Sequence, residues 1–150
     1  MKKIILFLAA LALSASAFAA NLVNVDRNVG IALEGYDPVS FFVSGQPAKG
    51  DPTIRATHNG ATYLFASAES KASFEKSPGA YEPQFGGYCA YGVELGVLLP
   101  VDISTWVIRD GKLYLNYSKP VAGLFAKDPD ASIKKARANW PKLSAESVGQ

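Results

Sequence analysis

Thr53-Ile54-Arg55-Ala56-Thr57-His58-Asn59-Gly60-Ala61-Thr62-Tyr63-Leu64-Phe65 carries the clearest local signal in the chain. Asn59-Gly60 between two alternating runs predicts a two-residue hairpin turn, because both central positions of that turn need positive φ. Counting outward pairs His58 with Ala61, Thr57 with Thr62, Ala56 with Tyr63, Arg55 with Leu64 and Ile54 with Phe65. Side chains alternate along a strand, so Ile54, Ala56, His58, Ala61, Tyr63 and Phe65 share one face. His58 ends that face, beside the turn. A second hairpin is expected around Asp110-Gly111, with Trp106 opposite Leu115 and Ile108 opposite Leu113.

Short helices surround the hairpins. Asp37 is a good N-cap and Pro38 suits a first helical position, which predicts a short helix ending near Ser44-Gly45. Ser67 caps a second helix with Phe74 as its core anchor, and Pro78-Gly79 stops it. Ser118-Lys119-Pro120 opens a short run to Phe125. Asp128-Pro129 opens a last helix whose apolar face is Ile133, Ala136 and Trp140. Pro141 is expected to end it, since the residue before a proline avoids helical geometry, leaving a frayed tail over 144–150. Residues 21–31 read as a strand or an arm, and 95–101 as a strand. Two hairpins, about 53–66 and 106–116, with three to four short helices and no βαβ rhythm indicate an α+β fold built on a small antiparallel sheet.

The chain opens Met1-Lys2-Lys3, runs apolar from Ile4 to Leu13, and reaches Ala17-Phe18-Ala19. This is the pattern of a signal peptide over 1–19. A membrane anchor is the competing reading, but a spanning helix needs about 20 apolar residues and this run is shorter. The expectation is export to the periplasm or the outside, with 20–150 as one domain and no membrane span after the leader is removed. Without residues 1–19, basic and acidic residues balance at 13 each. Such a chain lacks the basic footprint that nucleic acid or an anionic membrane requires.

Gln84-Phe85-Gly86-Gly87-Tyr88-Cys89-Ala90-Tyr91-Gly92-Val93-Glu94-Leu95-Gly96 holds the single cysteine among tyrosines and glycines. One cysteine makes no internal disulfide. The stretch predicts a tight turn presenting Tyr88, Cys89 and Tyr91, with the two tyrosines as walls of a cofactor or small-molecule site. Cys89 is either a ligand or reactive thiol, or a small buried hydrophobe. With His58, the only histidine, it supplies two metal ligands where zinc takes three or four, so Asp37 or Glu94 would have to complete a copper or zinc site. Asp37 also reads as a plain helix cap, and Tyr36, Tyr63 and Tyr81 as packing at a sheet rim. No C-x-x-C, P-loop or dinucleotide fingerprint is present. Asn116-Tyr117-Ser118 matches a glycosylation sequon but abuts a strand.

Tyr36-Asp37-Pro38-Val39, His58-Asn59-Gly60-x-x-Tyr63-x-Phe65-x-Ser67, Phe74, Pro78 and Tyr81 together resemble the YHS domain. Gly86-Gly87-Tyr88-Cys89-Ala90-Tyr91-Gly92, the Trp106 hairpin and Asn139-Trp140-Pro141 resemble a periplasmic branch of that family, and the likeness spans 29–143. The resemblance implies a link to heavy-metal handling. Metal-binding members carry cysteines where this chain has Ser40, Ala66 and Ser70, so their site does not transfer, and Cys89 is the one position it points to. The resulting expectation is an exported, non-catalytic binding protein holding copper, zinc or a small ligand at Cys89. A thiol enzyme or carrier using Cys89 with His58, and an interaction module with Cys89 as core, are the alternatives.

Overall fold

A computed structural model describes residues 22–148; the expected leader over 1–19 lies outside them. In chain order the elements are α1 (Ser40–Val43), β1 (Asp51–His58), β2 (Ala61–Phe65), α2 (Ala68–Lys76) and α3 (Pro78–Tyr81). They continue with α4 (Ala90–Glu94), β3 (Asp102–Arg109), β4 (Lys112–Asn116), α5 (Lys119–Phe125) and α6 (Pro129–Val148). Single 3-10 turns occupy Leu33–Gly35 and Gln84–Gly87. The class is α+β. The two hairpins remain separate two-stranded sheets instead of joining into one.

Both hairpin turns form as their dipeptides require. Asn59 and Gly60 take φ of 50° and 76°, and Asp110 and Gly111 take 48° and 68°, the left-handed pair whose twist matches the flanking strands. The register from Arg55–Leu64 to His58–Ala61 is as counted, but Phe65 pairs with Asp51 and not Ile54. Pro52 has no N–H for the ladder, and Asp51 Oδ1 instead accepts the Thr53 N–H at 2.7 Å, so the strand bulges there. In the second hairpin Ile108 pairs with Leu113, and the register shifts between Asp102 and Val107, before the expected Trp106–Leu115 pair.

Two hydrophobic clusters divide the interior, and β4 serves both. Leu113 and Leu115 point into a first cluster with Phe41, Tyr63, Phe65 and Phe74. Tyr114 points the other way, into a second cluster with Phe85, Val93, Phe125, Ile133 and Ala136. The two hairpins meet across the first cluster, and α4, α5 and α6 close the second.

Expected side-chain caps form at α2 and α6, while Ser118 makes no cap bond at the start of α5. Asp37 Oδ1 accepts the Val39 N–H at 2.8 Å, and its other oxygen accepts the Ala66 N–H at 3.0 Å. Asp37 is 1% exposed, so it is a cap that also pins α1 to the end of β2, with no oxygen left over for a site. Ser67 accepts the Ser70 N–H at 3.1 Å and Asp128 accepts the Ala131 N–H at 3.1 Å.

Three expectations are corrected. Residues 95–100 form no strand: the Val97 N–H bonds the Gly92 carbonyl and the Leu99 carbonyl accepts the Cys89 N–H, so the segment folds back over α4. Helix α6 continues through Pro141 to Val148, so 144–148 is helical and not frayed. A proline inside a helix costs about 3 kcal/mol, but burying a large apolar side chain returns about 1.5–3 kcal/mol. Trp140 and Leu143, on either side of Pro141, both pack on the second cluster. Residues 22–31 take the arm of the two forms expected, with Asn24 N–H donating to the Gly86 carbonyl at 2.7 Å and single bridges at Val25–Ala32 and Ile31–Thr62.

The five-residue α4 is too short to stand alone. Asn139 Nδ2 of α6 donates to the carbonyls of Val93 and Glu94 at 3.0 and 2.8 Å, satisfying its C-terminal end. Lys135 Nζ meets Glu94 Oε1 at 3.0 Å. Burial pushes the Glu94 carboxyl up, but the neighbouring Ser132 and Lys135 outweigh it and hold it below its ordinary 4.5. A carboxyl lowered by folding adds stability above its unfolded value and loses it as pH falls through the native one. Glu94→Gln should therefore lower the melting temperature at neutral pH, with its difference from wild type shrinking as pH is taken below 4.5. Gly50 gives a steric test. A Cβ there would sit 2.5 Å from the Leu64 carbonyl carbon and 2.7 Å from the Phe65 nitrogen. These are backbone atoms that cannot turn aside, so urea unfolding of Gly50→Ala should show a loss of about 3 kcal/mol.

Candidate functional site

Cys89 is the N-cap of α4, with φ −56° and ψ 117°. Its Sγ accepts the Gly92 N–H at 3.2 Å, and its thiol points at Asn116 Oδ1, 3.8 Å away. Asn116 Oδ1 also accepts the Tyr91 N–H at 3.2 Å, while Thr105 Oγ1 accepts the Asn116 N–H at 2.8 Å. Cys89 and Asn116 are both 0% exposed. The sulfur is thus a small capping group sealed between α4 and β4, and not a thiol presented to a ligand. The glycines around it serve the chain's path: Phe85, Gly86 and Gly87 take φ of 54°, 60° and 81°. A Cβ on Gly86 would run into the Leu22 carbonyl, so only glycine fits there. The Asn116 sequon amide is equally sealed and closed to modification in the folded chain.

Tyr88 and Tyr91 are half-buried and pack on the second cluster. The Tyr88 ring lies 6.4 Å from Trp140, and burial pushes its phenol up against an opposing pull from Arg27. Both are supports of the cluster, correcting the expectation that they bracket a site with Cys89.

His58 sits elsewhere in company. Its Nε2 lies 3.0 Å from Glu82 Oε2 and 3.0 Å from Asn59 Nδ2; with its proton on Nε2 the ring donates to the carboxylate, which only accepts. Asn59 Nδ2 donates to the same oxygen at 3.3 Å. The ring packs edge-on against Phe74, centroids 5.7 Å apart. His58 and Cys89 share no partner, and among the described residues no group of three or more His, Cys, Asp or Glu side chains is placed to hold a metal ion. The copper or zinc pair expected from Cys89 and His58 is therefore not assembled: one ligand caps a helix inside the core, and the other is engaged by Glu82.

What His58 does mark is the rim of a recess. A cavity of about 260 Å³ is walled by Asn59, Tyr63, Glu82, Gln84, Arg137 and Trp140, among others. It lies on the seam of the fold, since Tyr63 belongs to the first cluster while Phe85 and Trp140 belong to the second. Helix α3 ends at Tyr81 and delivers Glu82, after which Pro83 bridges to Leu113 of β4. Arg137 comes from α6; its Nη2 is 3.5 Å from the Tyr114 hydroxyl, and it makes no ion pair among the described residues. Burial, with the Glu82 carboxylate beside it, pushes the Tyr63 phenol far above its ordinary 10, so it stays a neutral hydroxyl.

A larger cavity, about 560 Å³, is walled chiefly by Val25, Val29, Ile31, Leu33, Leu64 and Val101. Its cation, Lys49, is already committed to the Glu34 carbonyl at 2.7 Å and to the Tyr36 ring at 4.0 Å. The walls of the smaller recess are the more polar of the two, with Asn59, Glu82, Gln84 and Arg137 converging on it, and convergent polar groups are what distinguish a ligand site from an apolar hollow.

No family model matches the chain, and no curated protein or solved structure matches it either. Its likeness to the YHS domain rests on the residues quoted above.

Glu82, Gln84 and Arg137 were not legible as site residues. No short-range pattern marks Glu82, whose partner His58 is 24 positions away. The sealed sulfur has a direct test. Iodoacetamide should label Cys89 in the native chain at least about 10³-fold more slowly than in denaturant, following the small open fraction of a marginally stable fold. Cys89→Ala should cost about 2 kcal/mol through the lost cap and the void. Rapid native labelling would contradict this placement.

Proposed function

We propose that this chain is an exported, non-catalytic binding protein of the YHS type, and that its ligand is a small organic molecule held in the Tyr63–Glu82–Trp140 recess. The observation that carries the reading is the half-buried His58–Glu82 contact, joined by the exposed Asn59, on the rim of a cavity between two packed clusters. Held polar groups beside an aromatic wall are the usual makings of a small-ligand site. His58 orients Glu82 and is not a metal ligand in this reading. Cys89 supports the fold from within α4, which leaves no accessible sulfur for a thiol enzyme or carrier.

Trp140 offers the readout. Trp106 is the other of two tryptophans and packs edge-on against Phe41 in the first cluster, so a Trp106→Phe background isolates Trp140. Small carboxylates, amines and amino acids, alongside copper(I) and zinc, would be titrated while Trp140 emission is followed. A saturable response to an organic member is expected, weakened about tenfold by Glu82→Gln and unchanged by Cys89→Ser. A response confined to the metals and lost in Cys89→Ser would overturn the reading.

A further inference from the structure

The recess brings opposite charges to one small volume. Glu82, at the C-terminal end of α3, contributes a carboxylate whose Oε2 is taken by His58 and Asn59, while no hydrogen bond occupies Oε1. Arg137, on α6 at the open side of the recess, is solvent-exposed and contributes a guanidinium with no carboxylate partner among the described residues, although Asp110 and Asp130 line the neighbouring cavity that it also borders. The two do not pair with each other, although both wall the same cavity. Arg109 shows what this fold does with a guanidinium it needs for structure: it makes a bidentate pair with Asp130 at 2.8 and 2.7 Å. Arg137 is left with one long contact to a phenol.

The remaining walls suit the body of a small molecule. Trp140 gives the main aromatic wall, backed by the buried Tyr63 and Phe85, and Asn59 and Gln84 add amides. Tyr63 stays neutral, so it opposes neither charge. An ammonium gains from the faces of tryptophan and tyrosine as well as from a carboxylate. A guanidinium presents a planar fork matched to a carboxylate. The volume suits a small molecule: about 260 Å³ equals roughly nine waters of liquid, enough for the body of an amino acid.

We infer that the recess takes a compact zwitterion of amino-acid size, its ammonium on Glu82 and the aromatic wall and its carboxylate on Arg137. This rests on the small-ligand reading above and adds the ligand's charge pattern. A lone anion would leave Glu82 facing it, and a lone amine would leave Arg137 unanswered. A molecule with both ends satisfies both groups at once.

Calorimetry on the full chain tests it. The standard amino acids, β-alanine and γ-aminobutyrate are the probes, with propionate, propylamine and phosphate as single-charge controls. At least one zwitterion should bind at least about tenfold more tightly than any control. Arg137→Gln and Glu82→Gln should each weaken that zwitterion about tenfold or more, with Arg137→Lys retaining part of the affinity. Unchanged melting curves would show that the variants fold, and Trp140→Phe serves as a conservative wall variant. If propionate, propylamine or phosphate binds as well as any zwitterion, and Trp140→Phe weakens it, the recess stands as a site but the zwitterion assignment falls. If no probe binds, or binding ignores all the recess variants, the assignment and the small-ligand reading fall together.

Discussion

Strand β4 is buried on both faces, and the rest of the fold answers to that constraint. Leu113 and Leu115 are required by one cluster and Tyr114 by the other, so a slip of one residue would exchange the two sets. The Asp110-Gly111 turn sets the register from one end. From the other, Thr105 holds Asn116 through its backbone while the Asn116 side chain reaches into α4. The strand thereby couples the hairpin half of the molecule to the helical half. It is also why a recess exists: two clusters packed on opposite sides of one strand leave a seam where they meet beyond its edge.

Asn116 deserves to be seen with Cys89 as one device. A buried amide oxygen collects the Tyr91 N–H and faces the Cys89 thiol, and the sulfur in turn accepts the Gly92 N–H. Asn116 Nδ2 has no hydrogen-bond partner among the described residues, and a buried donor left unpaired costs about 1–3 kcal/mol. A lone cysteine set among glycines and tyrosines draws the eye as chemistry. Here the glycines turn the chain, the tyrosines pack against Trp140 and its neighbours, and the sulfur caps a helix. The polar groups of the recess lie elsewhere, around Glu82.

Local signals were read well because their causes are local. Asn59-Gly60, Asp110-Gly111, Ser67 and Asp128 each specify backbone geometry within a few residues, and each element formed where they placed it. The face of α6 through Ile133, Ala136 and Trp140 was visible from spacing alone. Misreadings arose where distant contacts decided the outcome. Pro141 ends a helix on local grounds, yet the packing of Trp140 and Leu143 carries α6 past it. The apolar run after Leu95 resembles a strand, but Gly92 and Cys89 take its hydrogen bonds. The site was harder still. His58 was noticed for being the sole histidine, while Glu82 and Arg137 become significant only when α3 and α6 are brought together.

The cap on the C-terminal end of α4 has a consequence for the order of assembly. Asn139 lies 45 and 46 positions beyond the carbonyls it serves. The other end of α4 leans on Asn116, about half as far along the chain. A single turn and a half of helix cannot hold itself against such separations in sequence. In a chain emerging from its N-terminus, the glycine-rich corner must therefore wait, unformed, until the last helix has been made and docked. The hairpin of β1 and β2, whose ladder joins residues no more than 14 positions apart, has no such delay.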